Sequence, residues 1–195
     1  MIGRISGRLV LKQPPLLLVD VGGVGYEIEA PMSTFYKLPA VGEPVTLQTH
    51  LTVREDAHLL FGFATATEKT LFRELIKVSG VGPKLALTVL SGVSVEDFWN
   101  TVRAGDAARL TKLPGVGRKT AERLVVEMRD KAGAEGESGA GIKLAVDTSA
   151  LGEARSALAA LGYKPAEIQR FTEAVYNDGM TTEQIIQEAL KRAVK

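Results

Sequence analysis

The sequence predicts a multidomain α+β chain: a small β-barrel, a helical domain, and a three-helix bundle behind a linker. Three observations carry this. Apolar and polar side chains alternate in residues 1–64, apolar side chains recur at helical spacing in residues 65–132, and a Gly-rich stretch then precedes a second helical segment.

In the first segment Val45, Leu47, Leu51 and Val53 alternate with Thr46, Gln48, His50 and Thr52, the signature of a strand with one buried face. Leu59-Leu60-Phe61-Gly62-Phe63 follows across Arg54-Glu55-Asp56-Ala57-His58, which makes a hairpin. Upstream, residues 16–21 and 24–30 flank a Gly22-Gly23 turn, and residues 2–11 supply another strand. About five strands in 64 residues suit a small closed barrel, and an OB-like barrel fits best. His50 and His58 lie in these strands and read as ordinary surface residues.

Residues 65–132 open on Thr65-x-x-Glu68, a capping-box signal, after which Leu71, Leu75 and Val78 repeat at helical spacing. Pro83 suits a first helical position. Ser94-Val95-Glu96-Asp97 begins a further helix whose Phe98, Trp99 and Val102 read as core. Past residue 120, Ala121, Leu124, Val125 and Met128 form an apolar stripe, with Arg118, Lys119, Arg123 and Arg129 mostly off it.

One pattern occurs twice in this segment, 35 residues apart. The first copy is Leu75-Ile76-Lys77-Val78-Ser79-Gly80-Val81-Gly82-Pro83-Lys84-Leu85-Ala86, and the second is Leu110-Thr111-Lys112-Leu113-Pro114-Gly115-Val116-Gly117-Arg118-Lys119-Thr120-Ala121. Each is an apolar helical tail, a Gly-Val-Gly hairpin, and a new helix with a cation in its first turn. The glycines supply backbone angles that a Cβ disfavours. They also bare N–H groups at a helix start, where open donors and the positive dipole end attract an anion. The pattern resembles the helix–hairpin–helix motif, which grips DNA backbones without reading sequence. The second copy matches closely; the first departs at Val78-Ser79, where Leu-Pro is usual. Gly23-Val24-Gly25 is a third instance, but the alternating Tyr26-Glu27-Ile28-Glu29 behind it marks a strand turn.

The stretch from Ala132 to Gly141 has the composition of a linker, and residues 133–148 would reach roughly 20–25 Å as a flexible coil. Residues 149–195 fit a three-helix bundle. Leu151, Ala154, Leu158 and Leu161 mark its first helix, stopped by Gly162. Pro165 opens the second, with Ile168, Phe171 and Val175, and Asn177-Asp178-Gly179 ends it. Thr181-Thr182-Glu183-Gln184 caps the third, where Ile185, Ala189 and Leu190 face inward. The run Ala157-Leu158-Ala159-Ala160-Leu161-Gly162-Tyr163 resembles ubiquitin-associated-type bundles, which are usually docking modules.

Composition removes several function classes. The chain has 195 residues, 45% of them hydrophobic, and no apolar run approaches the roughly 20 residues needed to span a bilayer. Met1-Ile2-Gly3-Arg4 does not read as a signal peptide, so a cytoplasmic protein is expected. Zero cysteines exclude disulfides, Cys-based zinc sites and iron–sulfur clusters. Gly117-Arg118-Lys119-Thr120 lacks the Gly-Lys pair of a nucleotide-binding loop, so neither an ATPase activity nor a cofactor is expected. The net charge of +1 divides unevenly. Residues 1–64 hold 5 basic and 6 acidic residues, 65–132 hold 12 and 8, and 133–195 hold 7 and 9. The basic excess falls on the segment with the two hairpins, as a phosphate-binding surface requires.

Barrel, tandem hairpins, linker and bundle, in that order, resemble the RuvA family of bacterial Holliday-junction-binding proteins along the whole chain. The most specific parts are the spaced hairpins, the opening Met1-Ile2-Gly3-Arg4-Ile5-Ser6-Gly7 and the acidic tip Arg54-Glu55-Asp56. The resemblance implies a non-catalytic homotetramer that holds a four-way junction open and square-planar in DNA recombination and repair. It implies phosphate contacts at Gly80, Gly82, Lys84, Gly115, Gly117, Arg118 and Lys119, with Arg123 a further contact. Read alone, Glu55 and Asp56 are a solvated hairpin tip; the resemblance makes them an acidic pin near the crossover, repelling phosphates. It also implies a hexameric ATPase partner, RuvB, docked on the C-terminal bundle with Leu158, Leu161 and Tyr163 as candidate contacts. The junction resolvase RuvC is a further partner that it allows.

The rival reading is an enzyme. The second hairpin is also similar to that of endonuclease-III-type DNA glycosylases, where the lysine matching Lys119 attacks the sugar as a Schiff-base nucleophile. That chemistry needs a desolvated lysine and a positioned carboxylate in a base-receiving pocket. Glu122, Glu127 and Asp130 share the helix of Lys119, Glu135 and Glu137 fall in the linker, and the cluster cysteines are missing. A single-strand-binding barrel would need a basic aromatic face that residues 1–64 lack.

Overall fold

Alternation in the first segment resolves into five strands, β1 (Arg4–Gln13), β2 (Leu16–Val21), β3 (Val24–Glu29), β4 (Pro44–Val53) and β5 (His58–Phe63). They close as β1-β2-β3-β5-β4, with β4 returning to β1 and β3 meeting β5 in parallel, the order of an OB-type barrel. This computed structural model describes residues 1–136, 149–177 and 179–193. Leu9, Leu17, Val19, Ile28 and Leu47 fill the barrel and are essentially inaccessible. Gly7 is required by a close approach: a Cβ there would stand 2.1 Å from the Asp20 carbonyl oxygen.

Strand β4 keeps the expected alternation only over its first half. Val45 and Leu47 are buried, but the next inward position is Thr49, whose hydroxyl donates to the Ile2 carbonyl at 2.9 Å and whose N–H donates to the Gly3 carbonyl. Val53, expected on the buried face, is 62% exposed because the strand has by then run out beyond the barrel into the hairpin.

Between β3 and β4 lies α1 (Met32–Phe35), a single turn too short to show a period. The helical segment follows: α2 (Ala66–Leu75), α3 (Pro83–Gly92), α4 (Val95–Ala104), α5 (Ala107–Leu110) and α6 (Arg118–Gly136). Thr65 and Glu68 form the expected reciprocal box on α2, and Ser94 caps α4. Phe98, Trp99 and Val102 are core, as are Ala121, Leu124, Val125 and Met128.

Barrel and helices lie in one compact unit: the barrel keeps its own interior, while Phe61 and Phe63 of β5 face out of it and join the helical core. The ring of Phe72 on α2 lies 5.0 Å from Phe61 and 4.9 Å from Phe63 on β5. Burying each such side chain contributes on the order of 1.5–3 kcal/mol, enough to fuse the two layers. The packing also corrects the reading of His50 as a surface residue. Helix α2 covers its face of β4, its ring meets Phe72 edge-on at 5.6 Å, and its Nδ1 is buried without a hydrogen-bond partner. His58 is exposed, as expected.

Helix α6 continues to Gly136, four residues into the expected linker, where Ala132, Ala134 and Glu135 favour helix strongly enough to outweigh Gly133. The rest of that linker, residues 137–148, lies outside the described residues.

The C-terminal unit is the expected bundle of α7 (Ala150–Ala160), α8 (Pro165–Glu173) and α9 (Thr182–Ala193). Ser149 caps α7, Gly162 takes φ +94° behind it, and Pro165 stands at the first turn of α8. Thr181 and Gln184 form the expected reciprocal pair, Thr181 N–H to Gln184 Oε1 at 3.0 Å and Gln184 N–H to Thr181 Oγ1 at 3.4 Å. Ala154, Leu158, Ile168, Ile185 and Ala189 make the core.

Candidate nucleic-acid interface

The two hairpins are the same structure bond for bond. In the first, the N–H groups of Ile76, Lys77, Val78, Val81 and Ala86 donate to the carbonyls of Phe72, Glu74, Leu75, Val78 and Gly82. In the second, Thr111, Lys112, Leu113, Val116 and Ala121 donate to Ala107, Arg109, Leu110, Leu113 and Gly117. Every donor and acceptor is displaced by 35 residues, and the paired distances differ by at most 0.2 Å. Val81 and Val116, between the glycines, are each only 5% exposed and anchor the loops in the core.

The glycines divide their roles. Gly80 and Gly115 take φ +84° and +76°, the left-handed region where a Cβ is strained. Gly82, expected to need the same freedom, sits at φ −84° and ψ 170°, which any residue adopts. Its part is to leave the helix start bare. As the residue before α3 it makes no side-chain cap, so the amides of Lys84 and Leu85 are left to an incoming acceptor, Pro83 having no N–H of its own. Gly117 accepts the equivalent helical bond from Ala121, and a Cβ at either position would meet nothing within 4 Å. Backbone donors and the positive helix end therefore face outward together, twice.

Around these loops the cations differ. Lys84 and Lys119 are exposed in matching first turns. Arg118 is also exposed, with its Nε donating to Glu122 Oε1 at 2.9 Å. Arg123, expected at a phosphate, donates from Nη1 to the Ser79 carbonyl of the other hairpin at 2.9 Å. No sequence signal connects two residues 44 positions apart, so that contact was not legible beforehand. Lys119 lies on an exposed first turn rather than in the desolvated pocket that a Schiff-base nucleophile requires.

Glu55 and Asp56 are exposed at the β4–β5 tip, which is closed by the Arg54 N–H donating to the Ala57 carbonyl at 2.8 Å. In the bundle, Leu158 is 1% exposed, so this expected partner contact is corrected: a side chain filling the core has no surface to offer. Leu161 is 62% exposed, and Tyr163 is half-buried with its ring edge-on to Phe171 at 6.1 Å.

A closed barrel carrying two copies of one anion-ready hairpin defines a tandem helix–hairpin–helix protein. Three family models divide the chain between them: the RuvA N terminal domain over residues 1–62, a SAM-like helix-hairpin-helix tandem over 72–130, and the RuvA C-terminal domain over 149–194. Among curated relatives, the Holliday junction branch migration complex subunit RuvA of Thioalkalivibrio sulfidiphilus is 55% identical over 203 residues, covering 100% of both chains. The subunit so named from Nitrosococcus oceani is 57% identical over 197 residues, covering 98% of this chain and 99% of the relative. That of Actinobacillus pleuropneumoniae is 52% identical over 201 residues, again covering 100% of both. The chain belongs to the RuvA family.

Proposed function

We propose that this chain binds four-way (Holliday) DNA junctions by their structure rather than their sequence, and presents them to a motor for branch migration in recombination and repair. The observation that carries the reading is the bond-for-bond repeat of a bare helix start. One such site holds one phosphate weakly; two on a rigid core hold a duplex arm in a fixed orientation. Gly80, Gly82 and Lys84 form one clamp, and Gly115, Gly117, Arg118 and Lys119 form the other.

A homotetramer supplies a set of clamps to each arm and gathers the Glu55 and Asp56 tips at the crossover. Carboxylates within the ~8 Å Debye length of phosphates are poorly screened, so they disfavour continuous duplex and guide strands apart. The energy for movement comes from the ATPase of a RuvB partner docked on the bundle through Leu161 and Tyr163, with RuvC a further partner. This work belongs in the cytoplasm.

A mobility-shift comparison of a four-way junction with linear duplex of the same sequence tests the reading. The expected result is preference for the junction, independent of sequence, with a log–log salt slope that grows by roughly 0.9 for each phosphate held. Equal affinity for junction and duplex would overturn it.

A further inference from the structure

The two clamps are braced against each other unequally. From α6 of the second motif, Arg123 Nη1 donates to the carbonyl of Ser79, the residue just before Gly80. A Cβ on Gly80 would stand 3.5 Å from that same nitrogen. The repeat places Thr88 at the counterpart of Arg123, but the Thr88 hydroxyl turns back onto its own helix at the Lys84 carbonyl, 3.1 Å away. The reverse brace is apolar: Leu85 Cδ1 lies 3.5 Å from where a Gly115 Cβ would be.

The sequence difference between the copies accounts for the asymmetry. The second hairpin has Pro114 ahead of its left-handed glycine, and the ring fixes φ near about −65°. The first has Ser79 there, which leaves the loop freer. A peptide followed by a left-handed glycine can rotate about its flanking bonds with little steric resistance. A trans peptide points its C=O and the next N–H in opposite directions. Holding the Ser79 carbonyl therefore also aims the Gly80 N–H, away from the guanidinium.

We propose that Arg123 is a positioning residue, which orients the Ser79–Gly80 amide as a phosphate donor and steadies the first loop at the place where the second has the stiffer Pro114. It acts through Ser79 and not by touching phosphate. The assignment rests on the clamp reading above.

The test uses the full chain with Arg123→Gln, the double variant Ser79→Pro with Arg123→Gln, and Lys119→Gln as a comparator. Junction affinity is measured across a salt series, and amide exchange is followed at both hairpins without DNA. A lost charge-assisted hydrogen bond predicts roughly tenfold weaker binding by Arg123→Gln, with an unchanged salt slope. Exchange should quicken at residues 79–82 and stay unchanged at 115–117, and adding Ser79→Pro, which stiffens the loop at φ of residue 79, should restore part of the affinity. A slope lowered by roughly 0.9, with unchanged exchange and no rescue by proline, would make Arg123 a direct phosphate contact and overturn the proposal. Unchanged affinity and exchange in Arg123→Gln would overturn it equally. If Lys119→Gln leaves affinity and slope untouched, the clamp reading itself fails, while exchange at residues 79–82 still reports on the brace.

Discussion

The hydroxyl of Thr34 donates to the carboxylate of Glu68 at 3.3 Å, where the barrel's short helix α1 meets the start of α2. Thr34 accepts from the Ala64 N–H at 3.0 Å, and Glu68 also accepts from the Thr65 N–H at 3.1 Å and from Lys37 Nζ at 3.3 Å. Glu68 is 3% exposed. One buried carboxylate therefore caps a helix and ties it to the barrel, which fixes where the hairpins stand relative to the strands.

Replacing Glu68 by Ala removes the cap and strands several donors, so a loss of about 2–4 kcal/mol is expected in denaturant unfolding. Glu68→Gln keeps an acceptor for Thr34 and Thr65 and loses mainly the Lys37 pair, for about 1 kcal/mol. Equal losses in the two variants would show that the charge, not the hydrogen bonding, holds the corner.

The two kinds of glycine should separate in mutation. Gly80→Ala and Gly115→Ala force a Cβ into left-handed backbone and should each cost about 1–2 kcal/mol of stability. Gly82→Ala and Gly117→Ala should leave the melting temperature near wild type. Gly117→Val should weaken junction binding by covering the helix start. Paired melting and binding curves check this, and wild-type junction affinity in folded Gly117→Val would count against the clamp.

His50 makes stability depend on pH. Burial, with Arg73 and Lys69 adding repulsion, lowers its pKa below the ordinary 6.5. The unfolded chain then binds a proton more readily than the folded one, so stability is full above 6.5 and falls as pH drops through that value towards the lower folded pKa. Urea midpoints at pH 8 and pH 5.5 should differ by more in the wild type than in His50→Leu, since carboxylate titration is common to both.

Glu55→Gln with Asp56→Asn alters exposed side chains, so folding should be unchanged. Affinity for linear duplex should rise more than affinity for the junction, measured side by side at one salt concentration. Equal rises would reduce these residues to an ordinary charged turn.

In the bundle, Leu158→Asp should unfold the helices, since a buried unpaired charge has no compensation there. Leu161→Asp should leave helicity intact, by circular dichroism, and reduce stimulation of the motor's ATPase activity. Full stimulation by Leu161→Asp would place the docking surface elsewhere.

Local signals carried most of what was readable from the chain. Thr65 and Glu68 announce a helix start because both partners of the box lie within one turn, and Pro83 and the repeated Gly-Val-Gly do the same for the hairpins. Residues whose surroundings come from distant segments were opaque. His50 looks like the polar side of a strand until α2 covers it. Leu158 and Leu161 share one apolar pattern, yet the bundle buries only the first. Arg123 reads as one cation among several on α6, and only the fold brings it to Ser79.

The packing of Phe72 against Phe61 and Phe63 has a thermal consequence. The cluster these rings begin runs without a break through Leu90, Trp99 and Val116 to Met128. Loosening the helical core therefore disturbs β5, through the two phenylalanines that strand contributes to it, although the barrel has a separate interior. Residues 4–128 should melt as one calorimetric event, with the van't Hoff enthalpy matching the measured heat. Where Phe61 and Phe63 stay packed on Phe72, the helical core that carries both hairpins stays assembled with β5.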